Sequence, residues 1–204
     1  MSMRTSSEQA FESFLSDNNL AFGRIKEEAS PRPDYWVEIG EHKLVFEIKE
    51  LDVDEDFVVV NEPSSPITRI HSRTVGEHVR KSIHGARKQI QFAARQGLPS
   101  ILLIYNNLDP LHLFGTEDYD FLTGMYGELT LLIDKRTGQA MGGPFYGRKA
   151  YVSAIKNTSF SAVGRVAPSS GKMTTTLFEN AFAKVRIAYE QLPPCFHVQR
   201  VKIS

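Results

Sequence analysis

The chain has 204 residues, 41% of them hydrophobic and 24% charged, a balance that excludes an intrinsically disordered protein and suits one domain carrying an elaboration. Its 24 basic and 24 acidic residues cancel, so overall charge gives no argument for nucleic acid and any such argument has to be local. The lone cysteine, Cys195, excludes an intrachain disulfide; no stretch approaches the roughly 20 apolar residues of a membrane span, and the polar N-terminus does not read as a signal peptide, so the expectation is a cytoplasmic protein with no membrane partner.

In chain order, Ser6 or Ser7 is read as the cap of a helix reaching residue 18, with Ser6 and Gln9 at capping-box spacing. Phe11, Phe14 and Leu15 form its apolar face, which turns Glu8 toward the body of the protein and leaves Glu12 on the flank. Residues 29–33 contain two prolines and break the helix. Residues 34–39 and 44–51, joined by a turn at 40–43, are rich in aromatic and β-branched side chains and predict a β-hairpin. Residues 61–76 read as a long polar loop. Apolar residues at 79, 83, 86, 90 and 93 predict a helix over 75–96, ended by Gly97. The continuous apolar run at 100–108 predicts a strand covered on both faces.

The second half predicts a strand at 128–134, a glycine-rich loop after it, a pair of strands at 151–156 and 160–166, a turn at the Ser-Ser-Gly-Lys-Met segment, a mixed stretch over 177–190 and a terminal strand at 196–203. No boundary divides the chain, so residues 1–204 are taken as one domain, 6–108 as its core and 109–204 as an elaboration.

Chemistry concentrates in the hairpin. Asp34 opens the first arm, and Glu47 and Lys49 lie two apart on the second. Alternation puts Glu47 and Lys49 on one face and Phe46 and Ile48 on the other. The hairpin brings Asp34 and Glu47 toward one edge. Two close carboxylates repel unless a cation lies between them, and oxygen ligands suit Mg²⁺ or Mn²⁺. A cation there acidifies water for attack on a phosphodiester. Lys49 is placed to orient or deprotonate that water or to stabilise the transition state. The Ile48 carbonyl is a further candidate ligand, and Glu8 a support.

The Pro33-Asp34 and Glu47-Ile48-Lys49 pattern resembles the PD-(D/E)XK nuclease superfamily. The resemblance covers residues 6–108. It implies an α/β fold with a central mixed sheet flanked by helices, a restriction-endonuclease-like core in the order αβββαβ, and here a β-rich C-terminal elaboration. Its third core strand is expected after the hairpin, at 56–60. It implies a metal-dependent nuclease acting on DNA, with Asp34, Glu47, Lys49 and Glu8 as catalytic residues, and Gln89, Gln91 or Arg87 facing the site. Arg73, Arg80, Lys81, Arg87 and Lys88 belong to a basic stretch from 69 to 95 whose one acid is Glu77; they are the expected contacts to nucleic acid. Cutting both strands of a duplex would call for two sites and hence a homodimer. The alternative expectation is a non-catalytic member of the same fold that binds nucleic acid or protein. His71, His78 and His84 lack zinc-motif spacing, and Trp36 is expected in the core.

Overall fold

The computed structural model describes residues 4–26, 28, 30–52, 74–108, 112 and 114–201. It is a mixed α/β structure: a seven-stranded sheet with helices on both faces.

Helix α1 (Ser6–Asp17) leads into β1 (Ala21–Arg24), β2 (Tyr35–Ile39) and β3 (His42–Leu51). Helix α2 (Glu77–Ala94), β4 (Ser100–Asn106) and α3 (Asp118–Tyr126) follow. The small strands β5 (Glu128–Thr130) and β6 (Phe145–Arg148) come next, then β7 (Ala162–Ser169), β8 (Lys172–Glu179) and β9 (Phe196–Gln199). The large sheet runs β1-β2-β3-β4-β7-β8-β9, while β5 and β6 pair separately. The first three strands are antiparallel, β3-β4-β7 are parallel, β8 reverses and β9 runs parallel to β8.

Two apolar layers clamp the sheet. On one face α1 sets Phe11 and Phe14 against Tyr35, Phe46 and Phe196. The Phe11 and Phe46 rings are 5.0 Å apart and those of Phe14 and Phe196 5.1 Å. On the other face Val79, Ile83, Ala86 and Ile90 of α2 pack with Leu102, Ile104 and Phe178. Removing one such aromatic to alanine costs about 3–5 kcal/mol. Strand β4 is buried along its whole length, between two parallel neighbours and both layers.

Several expectations shift. The cap of α1 is Thr5, not Ser6: its hydroxyl accepts the Glu8 N–H, and Glu8 Oε2 accepts the Thr5 N–H at 3.0 Å. The strand that completes the three-stranded antiparallel unit precedes the hairpin, at β1, whereas residues 56–60 and most of the 61–76 loop lie outside the described residues. β1 is short and carries Gly23, an unpromising strand signal. The glycine is required because the Trp36 indole lies across it, and a Cβ there would meet Trp36 Cζ2 at 2.6 Å. The hairpin turn tightens to Gly40 and Glu41, with Gly40 in the left-handed region at φ +58°.

The strand predicted at 128–134 ends at Thr130. Residues 145–148, expected in a loop, form β6. Segment 151–156 is not a strand but a turn closed by a Ser153–Lys156 bridge. The partner of β7 is instead β8, reached through the Ser170–Gly171 turn, so a strand takes Lys172 and Met173 from the predicted turn and the opening of the mixed stretch, Leu177 to Glu179. Strands β7–β9 extend the sheet begun by the hairpin. No helix among the described residues is long and apolar enough to cross a membrane.

Candidate active site

Tyr35 faces Phe46 in the β2–β3 register. Asp34 lies in a bend just outside β2, close enough to Glu47 for the two carboxyl groups to feel each other's charge. Its backbone is tied in on both sides: the Asp34 N–H donates to the Phe46 carbonyl at 3.0 Å, and its own carbonyl accepts the Ile25 N–H at 2.8 Å. The Asp34 carboxylate accepts the Ile48 N–H at 2.7 Å through Oδ2. Within a strand the N–H and C=O of one residue project to the same side, so the Ile48 carbonyl also projects toward the Asp34 edge.

Glu47 is only 2% exposed. Lys49 Nζ lies 2.8 Å from its Oε1. Its Oε2 is buried with no hydrogen-bond partner among the described residues. Burial first, and the Asp34 charge second, push the Glu47 carboxyl up to about 7. Asp34 is raised as well, chiefly by burial, with the Ile48 N–H and Lys49 pulling the other way and Glu8 adding to the rise. The sheet thus confines two carboxylates next to each other and offers one ammonium to offset them.

Glu8 approaches this edge from α1 but is already engaged. It closes the capping box and forms an ion pair with Arg24 at the end of β1. Arg24 was invisible to sequence reasoning because β1 itself was not read; the only signal is a basic residue at a strand end. Tyr35 donates its hydroxyl to Glu12 at 2.9 Å. Burial, and then this bond, raise the Tyr35 phenol well above its ordinary value, so it stays a donor.

The residues expected on α2 divide. Arg87 and Lys88 are exposed. Lys81 is exposed and pairs with Glu77 at 3.4 Å. Arg80 is half-buried and turned to its own helix start: Nη2 donates to the Val75 carbonyl at 3.0 Å, and Nη1 is buried. Arg73 lies outside the described residues. Gln89 and Gln91 are half-buried, and Gln89 Oε1 is buried without a hydrogen-bond partner among the described residues.

Among the described residues no group of three or more His, Cys, Asp or Glu side chains is arranged to hold a metal. A two-carboxylate set nonetheless fits Mg²⁺, which commonly takes one or two carboxylates and keeps several waters. The orphaned Glu47 oxygen beside Asp34 is the specific feature a cation would satisfy. No family model, curated protein or solved structure matches the chain, so a functional reading has to stand on the arrangement of Asp34, Glu47 and Lys49.

Proposed function

We propose that the chain is a Mg²⁺- or Mn²⁺-dependent nuclease of the PD-(D/E)XK type that hydrolyses phosphodiester bonds in DNA. The observation that carries this reading is the buried Glu47 beside Asp34, whose own carboxylate is held on the Ile48 N–H, with the Glu47 carboxyl pushed up to about 7. Two such carboxyl groups side by side each disfavour ionisation of the other, and a cation between them would relieve that cost. The order α1-β1-β2-β3-α2-β4 supports the same reading, being the order the resemblance implies.

Asp34 and Glu47 would hold the cation, with the Ile48 carbonyl as a further oxygen donor. When bound, the cation lowers the pKa of nearby water and offsets charge on the scissile phosphate. The chain's own residues do the rest. The Ile48 N–H fixes the Asp34 carboxylate through one oxygen. Lys49, one-third exposed and anchored on Glu47, presents its ammonium where an incoming water and a phosphate oxygen would lie. Glu8 supports from α1 through the Arg24 pair. Arg87, Lys88 and Lys81 supply an exposed cationic face for the nucleic-acid backbone.

The test is a cleavage assay on supercoiled plasmid and on single-stranded DNA with Mg²⁺ or Mn²⁺. Cleavage by the wild type that is lost in EDTA, in Asp34→Ala and in Lys49→Ala is the expected result. Equal cleavage by wild type and variants would refute it.

A further inference from the structure

A cleft of about 260 Å³ opens between the start of β2 and the C-terminal end of α2, lined by Ile25, Arg32, Pro33, Val45, Phe92, Ala93 and Gln96. It adjoins the carboxylate pair along two chain segments. Pro33 immediately precedes Asp34. Val45 lies two residues before Glu47 on the same strand face, roughly 7 Å along β3.

Its lining is chemically asymmetric. Ile25, Pro33, Val45 and Ala93 make an apolar floor. One wall is planar: the Arg32 guanidinium lies over the Phe92 ring, 5.4 Å from its centroid. Arg32 is also tethered by Glu28 at 2.5 Å and reaches Ser30 Oγ at 3.4 Å, which orients its plane. Gln96, exposed at the rim, adds an amide able to donate and accept. Arg95 beside it, and Arg87 and Lys88 on the exposed side of α2, make the approach cationic.

We infer that this cleft is a nucleobase subsite, taking one unstacked base of a single-stranded or frayed nucleic acid whose backbone continues to Asp34 and Glu47. An apolar cleft walled by a guanidinium that is itself stacked on an aromatic ring offers an unpaired base the outer face of that guanidinium to stack on. A paired base in a duplex has its faces covered and cannot enter without being extruded. The cationic surroundings match the phosphates on either side. The inference rests on the nuclease reading for the direction of the strand, but base binding itself is independent of cleavage.

The experiment is fluorescence anisotropy of a labelled ten-nucleotide oligothymidine and of a blunt duplex of equal length, in EDTA, with the full chain. The wild type is expected to bind the single strand more tightly than the duplex. Phe92→Leu, which keeps apolar volume and removes the ring that holds the Arg32 guanidinium in place, is expected to weaken single-strand binding about tenfold and to leave duplex binding within about twofold. Phe92→Tyr is expected to retain wild-type behaviour. Ile25→Trp, which fills the cleft without emptying the core, is expected to reproduce the Phe92→Leu loss; it serves if that variant melts early. Unchanged single-strand affinity in Phe92→Leu and Ile25→Trp, equal losses on both ligands, or no binding by the wild type would overturn the inference. Mg²⁺-dependent cleavage with no Phe92 effect on single-strand binding would overturn this inference alone. Phe92-dependent single-strand binding without any cleavage would overturn the nuclease reading and uphold the subsite.

Discussion

Glu47 and Asp120 are carboxylates removed from water to the same degree, at 2% and 1% exposure, yet their surroundings differ in kind. Asp120 sits in the first turn of α3, where backbone N–H groups favour negative charge. Its Oδ1 accepts the Gly76 N–H at 2.8 Å and ties the start of α2 to α3. There Gly76 and Gly124 approach so closely that a Cβ on Gly76 would lie 2.5 Å from the Gly124 nitrogen. Glu47 instead stands beside a second carboxylate, with one ammonium offsetting the pair. The first arrangement uses a buried carboxyl group to hold two helices together. The second places two carboxyl groups where each disfavours ionisation of the other, an arrangement that a bound cation would relieve.

The largest expected effect breaks the comparison on the activity side. Asp34→Ala or Lys49→Ala should lower the cleavage rate by about 10²–10³-fold or more, read on plasmid DNA, while Asp120→Ala should leave the rate per folded molecule within a few-fold. If Asp120→Ala abolishes cleavage in fully folded protein, the division of roles is wrong.

On the stability side the order reverses. Asp120→Ala strands the Gly76 N–H and should cost about 1–3 kcal/mol, a fall in Tm of roughly 2–4 °C for each kcal/mol in a chain of this size. Glu47→Gln should do the opposite in metal-free protein at pH 8, raising Tm by a few degrees, because it removes an ionised group from a site that disfavours ionisation.

The pH dependence follows from the same shift. The folded Glu47 carboxyl titrates near 7 against an ordinary 4.5, so between those values the folded state holds the proton more firmly than the unfolded one. Stability from this group is therefore complete below about pH 4.5 and declines as pH rises to about 7, by on the order of 3 kcal/mol. The raised Asp34 adds to the decline with the same sign. Urea melts of wild type and Glu47→Gln at pH 5 and pH 8, without metal, should show a gap between the two proteins that widens toward pH 8. A gap that narrows would contradict the assigned cause.

The smallest effect belongs to the surface. Lys81→Ala breaks an exposed pair with Glu77 and should change stability by less than about 0.5 kcal/mol, while reducing the salt dependence of DNA binding by about one phosphate contact.

The hairpin is legible because β2 and β3 carry their pattern locally: aromatic and β-branched residues, a Gly40 turn, and Glu47 and Lys49 sharing one face. Helix α2 and strand β4 were legible for similar reasons, one by its stripe and one by its unbroken apolar run. Strand β1 was not, because it is four residues long and contains Gly23, whose reason is the tertiary contact with Trp36. Strand β8 reads as polar, Lys-Met-Thr-Thr-Thr, and is held as a strand by pairing on both sides with β7 and β9. Helix α3 is hidden for a related reason: Asp118, Asp120 and Thr123 dilute its apolar pattern, and Asp120 meets Gly76 across the fold. At the site, strand alternation puts Glu47 and Lys49 on one face, whereas the Arg24–Glu8 pair and the Arg32–Phe92 wall depend on tertiary contacts between distant segments.

The central claim is that Asp34 and Glu47 form one cation site, and Mn²⁺ binding followed by electron paramagnetic resonance tests it most directly. The prediction is one bound ion per chain at pH 8, with affinity falling as pH drops below about 7, and loss of that site in both Asp34→Ala and Glu47→Gln. Binding of equal stoichiometry and affinity in wild type and both variants, or no binding by the wild type at pH 8, would contradict it.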